Sequence, residues 1–196
     1  MKLAKNHIDV GLFSNDRDRQ LAFWQDEVGL QYDHMGKLGG GMQQHRHFMN
    51  GSILKMNHAR DALPKLPPSG YRELFIADPS RSSSKTLHDP DGNVVTLVPP
   101  GTDGITGICV AMTVNSRDAF EAFYGYALQL EQVRPGMFRC GDSLIWAREE
   151  GKVERADEWR APGYRYITVQ IFDAVHEHAG ILARGGSEGA PIRVLG

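Results

Sequence analysis

Apolar residues alternate with polar ones over Ile8, Val10 and Leu12, and again over Ile108, Val110 and Met112. A period of two is that of a half-buried strand. After each run the period lengthens. Leu21, Trp24 and Val28 fall at i, i+3 and i+7, as do Phe120, Phe123 and Ala127, which predicts a helix after each strand. Asn15 with Asp18, and Asn115 with Asp118, suit an N-cap followed by an acid in the first turn. Residues 7–30 therefore align with residues 107–130 without a gap, Phe23-Trp24 opposite Phe123-Tyr124 and Leu30 opposite Leu130.

The correspondence continues further along the chain. A hairpin over 42–57, turning at Asn50-Gly51, has a counterpart over 137–148, turning at Gly141-Asp142. Gly70-Tyr71-Arg72-Glu73-Leu74 faces Gly163-Tyr164-Arg165-Tyr166-Ile167, each opening another strand. In the second copy Asp173 caps a helix running to Arg184. In the first, the same place holds only the serine-rich stretch 78–85, too short for one. The first copy closes with His88-Asp-Pro-Asp-Gly-Asn93, whose Pro90 and Gly92 preset a tight turn into the strand-like run Val94–Val98. Pro99 to Gly104 reads as a linker. The second copy reaches only Gly196 after Pro191, so a further tail or a partner is expected to cover the strand edge it leaves open. Two modules, 1–100 and 101–196, are the expected domain organisation.

Composition narrows the class. The 196 residues carry a formal net charge of −2 with 41% hydrophobic residues, the profile of a globular domain without a nucleic-acid or membrane footprint. Met1-Lys-Leu-Ala-Lys5 leads straight into the first strand without an apolar targeting core. Two cysteines, Cys109 and Cys140, make no disulfide framework. A cytoplasmic location is the expectation that follows.

The order strand, helix, hairpin, strand and closing Asp-Pro-Asp-Gly-Asn strand resembles the vicinal oxygen chelate superfamily, which includes glyoxalase I, extradiol dioxygenases and metal-free antibiotic-sequestering proteins. The resemblance implies an α+β fold of tandem βαβββ modules, the second incomplete at its C-terminal end. It implies curled sheets whose concave faces hold a divalent ion (Fe, Mn or Zn) and a small-molecule substrate with vicinal oxygens, such as a catechol or hydroxycarbonyl. A homodimer is also implied. His7 matches the family's first histidine and Glu73 its second donor, so these are the expected metal ligands. The family's last donor is a glutamate, and here that position holds Thr96. A neutral hydroxyl is a poor ligand for a hard dication.

Other residues complete the expected site. His45 and His47 alternate along one strand and project to one side, which makes them candidates for acid–base catalysis. Asp9, Thr96 and Tyr71 are the expected substrate contacts, His88 steadies the closing turn, and His34 and His58 are peripheral. The loop 36–42, with Gly39-Gly40-Gly41, has the composition of a lid. Two functions remain open. One is a metal-dependent enzyme, either a ring-cleaving dioxygenase or a glyoxalase-like isomerase. The other is a metal-free protein that binds a small aromatic or hydrophobic molecule, a reading favoured by Thr96 and by Gly107, which stands where the first copy has His7.

Overall fold

A computed structural model describes residues 1–154 and 158–193. Among the described residues, twelve strands form two sheets. The first copy supplies β1 (Asp9–Ser14), β2 (Gln31–Gly39), β3 (Met42–Met49), β4 (Ser52–Ala59), β5 (Tyr71–Ala77), β6 (Lys85–His88) and β7 (Val94–Val98). The second supplies β8 (Ile108–Val114), β9 (Glu131–Arg134), β10 (Met137–Cys140), β11 (Ser143–Glu150) and β12 (Gly163–Thr168). Helix α1 (Arg17–Ala22) continues into a π-helical turn over Phe23–Glu27, and α2 (Arg117–Glu121) does the same over Ala122–Ala127. Helix α3 spans Ala174–Ala183. No helix among the described residues is long and apolar enough to cross a membrane.

The sheets do not follow the sequence repeat. Sheet one has the order β12-β1-β4-β3-β2, and sheet two the order β6-β7-β5-β8-β11-β10-β9. Each copy is thus divided at its middle. Strands β1–β4 of the first copy are extended by β12 of the second, and β5–β7 of the first join β8–β11 of the second through the antiparallel β5–β8 pair. The seams are equivalent: Gly11 pairs with Tyr166 across one and Ala111 with Glu73 across the other.

One face of each sheet packs on a shared core. Ile8, Val10, Leu12, Leu54 and Met56 of sheet one meet Leu74, Ile76, Val95, Ile108 and Val110 of sheet two, with Phe23, Trp24, Phe120 and Tyr124 from the helical turns among them. Of the matched aromatic pairs, Phe23, Trp24 and Tyr124 serve burial, the dominant favourable contribution to folding, while Phe123 is exposed. The opposite face of each sheet forms an outward hollow.

The caps and loops differ in detail from expectation. Asp16 and Ser116 cap α1 and α2, one residue beyond the predicted positions. Asn15 is instead spent on the loop after β4, donating to Ala59 O and Asp61 O and accepting from Leu63 N. Residues 36–42 are the end of β2 and a tight turn into β3. Three glycines at positive φ make that turn, a conformation costly for residues with a Cβ. Asp173 caps α3 by accepting from His176 N, as its sequence suggests.

The 88–93 turn is a clip. The buried Asp89 carboxylate accepts from Asp91 N, Asn93 N and Asn93 Nδ2. It also accepts from Gln20 Nε2 of α1 at 2.9 Å, while Gln20 Oε1 accepts from Trp24 Nε1 at 2.8 Å. Burial raises the Asp89 pKa above its ordinary value, against the lowering effect of these donors.

Candidate functional site

In the hollow of sheet one, Asp9 and Gly11 point away from the core on β1. Asp9 is buried, receives Lys5 Nζ at 2.5 Å and Lys55 Nζ at 3.0 Å, and accepts from Ile53 N. Burial alone would raise its pKa, but the two ammonium groups overcome that and hold it below the ordinary value. Lys55 also donates to Thr168 Oγ1 on β12. A Cβ on Gly11 would lie 2.0 Å from the Tyr166 ring, so the absence of a side chain there is what lets the ring lie across the seam.

Tyr166 is the centre of this hollow. Its oxygen accepts from Asn57 Nδ2 at 3.0 Å and from Gln44 Nε2 at 3.5 Å. Burial raises its pKa, so the phenol keeps its proton at neutral pH and can donate it to an acceptor on a ligand. Phe13, Trp159 and Tyr166 meet edge to face, with centroids 5.2–6.0 Å apart, a favoured aromatic geometry. With Leu38, Met42 and Asn57 they border a cavity of about 360 Å³.

The hollow of sheet two has a different centre. Glu73 Oε1 accepts from Thr96 Oγ1 at 2.6 Å, and Glu73 Oε2 accepts from the Arg148 guanidinium. Thr96 is further joined to Thr86 at 2.9 Å. The Arg148 guanidinium lies 5.6 Å from the Trp146 ring and 5.7 Å from Phe75, within cation–π range. The adjoining cavity, about 230 Å³, is lined by Arg72, Glu73, Ala111, Arg148 and Glu149 among others. Cys109 lies buried on this sheet, and burial pushes its thiol up to about 12.

The expected residues are dispersed. His7 precedes β1, its ring packed over Gly51 and its Nδ1 3.5 Å from Asp142. Glu73 belongs to the other sheet, and the two have no partner in common. His45 and His47 do share a side of β3, but it is the core side. There they lie opposite Met56 and Leu54, and Tyr32 OH is 3.2 Å from His45 Nδ1. Neither histidine borders a hollow. Tyr71 and Glu73 would share a face by alternation, but a register shift between them turns Tyr71 to the core opposite Met112. The backbone thus separates two residues that the sequence places together.

The donor chemistry does not fit a divalent ion in either hollow. Both oxygens of Glu73 are engaged, one by a cation. Asp9 sits between two cations, whose charges repel a dication. Thr96 offers only a hydroxyl, and among the described residues no three His, Cys, Asp or Glu side chains converge as a metal-holding group. Sequence reading missed Arg148, Asn57 and Lys55. It aligned Tyr166 with Glu73 but did not count it among the expected site residues.

No family model and no curated protein matches the chain. Solved structures do. Glyoxalase I from Zea mays superposes with a TM-score of 0.68 at 12% identity, covering 93% of this chain and 81% of the maize protein. A protein assigned as a dioxygenase, from Bacillus subtilis strain 168, superposes with a TM-score of 0.64 at 12% identity, covering 94% of this chain and 76% of its own. With two seams of like topology and α+β units repeated along the chain, this protein has the fold of glyoxalase I.

Proposed function

We propose that this protein binds a small planar aromatic molecule in the hollow of sheet one and does so without a divalent ion. The observation that carries this reading is the Tyr166 phenol lying across Gly11. At the position equivalent to Glu73, a neutral donor replaces a carboxylate, and the walls beside it are Phe13 and Trp159. The three rings supply apolar, edge-to-face contact, and the Tyr166 hydroxyl orients one oxygen of the ligand. A mostly apolar cavity with a few fixed polar groups is the usual make-up of a small-molecule site.

The other reading is metal-dependent turnover of a vicinal-oxygen substrate through Glu73. It would need Glu73 released from Arg148 and a second donor brought beside it. The two readings separate in one preparation. Protein purified without added metal is assayed for Fe, Mn and Zn, and 2-naphthol is titrated by calorimetry. Binding to metal-free protein is expected, weakened about tenfold by Trp159→Ala. Stoichiometric metal that is lost in Glu73→Gln, or oxygen uptake with catechol, overturns the proposal in favour of the enzyme. Sedimentation of the same sample tests the homodimer implied by the sequence resemblance.

A further inference from the structure

A second cavity lies on the other side of the β2–β3 hairpin tip, sharing Gly39 and Met42 with the site above but none of its aromatic side chains. It holds about 370 Å³ and is lined by Arg17, Lys37, Gly39, Gly41, Met42, Gln43, His58 and Arg60. Four of these eight carry basic side chains and none is acidic, in a chain whose formal net charge is −2. The basic groups come from three elements and a loop: Arg17 opens α1, Lys37 lies on β2, His58 on β4, and Arg60 follows β4. Strand pairing brings them together, since Lys37 pairs with Gln43 and Gln43 with His58.

Two of the guanidinium groups have neighbours of opposite charge. Arg17 Nε contacts Asp18 at 2.7 Å, and Arg60 Nε contacts Asp61 at 3.3 Å. Both pairs are between adjacent, exposed side chains, which contribute little, and each uses only the Nε side of the fork. The terminal nitrogens stay available to a ligand. His58 lines the same cavity. Its Nδ1 is buried and has no hydrogen-bond partner, so Nε2 is the ring nitrogen left to meet an anion there. The Gly39–Gly41 turn has no side chains to fill the mouth.

We propose that this cavity is an oxyanion site for a phosphoryl group, with Arg17, Lys37 and Arg60 neutralising the charge and His58 completing the hydrogen bonding. Guanidinium forks and an ammonium arriving from different elements suit a tetrahedral dianion, whose oxygens point in several directions. The volume leaves room beside the phosphoryl group for an organic substituent. The phosphoryl group can therefore come from free phosphate or from a small phosphate monoester. This assignment stands whether or not the aromatic hollow binds its ligand.

The test is a titration of the intact chain with inorganic phosphate and, separately, with phenyl phosphate, followed by NMR of the histidine ring resonances and by calorimetry. Saturable shifts at His58 are expected. A bound anion favours the imidazolium, so the His58 pKa should rise on saturation. Its other charged neighbours are Arg17, Asp18 and His45, and none of these changes the sign. Lys37→Ala and Arg60→Ala alter exposed residues and should each weaken binding about tenfold. Lys85→Ala, the same charge change on the far sheet, should leave it unaltered. Tighter binding of phenyl phosphate than of phosphate identifies an ester as the ligand, and equal binding identifies the free ion. His58 resonances that do not respond to phosphate at millimolar concentration overturn the proposal, as does an equal loss in all three variants.

Discussion

Two buried titratable residues on sheet one set how the protein responds to substitution and to acid. Lys55 shares Asp9 with Lys5, so removing it leaves the buried carboxylate with a single ammonium to offset its desolvation. Lys55→Met should lower stability by about 2 kcal/mol. Adding Asp9→Asn should cost less than the two single changes summed, as read by urea denaturation in a double-mutant cycle. His47 is fully buried on the core side, and burial lowers its pKa to about 4 from an ordinary 6.5. The unfolded chain therefore takes up this proton at higher pH than the folded one. The stability tied to neutral His47 is intact above about 6.5 and drains away as the pH falls to about 4, by roughly 3 kcal/mol. Thermal melts of wild type should show that slope, and His47→Leu should flatten it. The sequence made it plain that His45 and His47 share a side of their strand, because alternation determines that. It could not say which side, because that depends on the pairing of β3 with Leu54 and Met56 of β4.

Between residues and molecule, the Asp-Pro-Asp-Gly-Asn turn stands out. Its sequence predicts a tight turn into a strand, and β7 follows as expected. What the sequence does not carry is the attachment of Asp89 to α1 through Gln20, 69 residues away along the chain, which Trp24 of the following turn holds in place. Asp89→Ala removes the acceptor for four donors at once. The loss should be about 3 kcal/mol, with α1 loosened from sheet two, visible as faster amide exchange over 20–28. The hairpins at Asn50-Gly51 and Gly141-Asp142 were legible for the same local reason, since Asn50, Gly51 and Gly141 suit the positive φ they adopt. The register shift beside Tyr71 was not. It inserts one residue without any marker in composition, and it reverses the side on which Tyr71 lies.

At the scale of the whole molecule, the repeat was readable and its pairing was not. Matching strand and helix patterns predict two like units, but equal patterns are silent about whether each unit closes on itself. Here β12 completes the sheet of β1, and β5 pairs with β8. Cleavage in the 101–104 linker should therefore leave the halves associated on a sizing column and melting in a single transition. Separation of the halves would show that the sheets are not shared. Because the two seams rest on one core, their side chains are free to diverge while the backbone beneath them stays fixed. One seam carries a phenol over a glycine, the other a carboxylate locked to a guanidinium over an alanine. The same scaffold thereby offers two separately tunable recognition surfaces, each able to change its chemistry by a handful of outward-facing substitutions without disturbing the other.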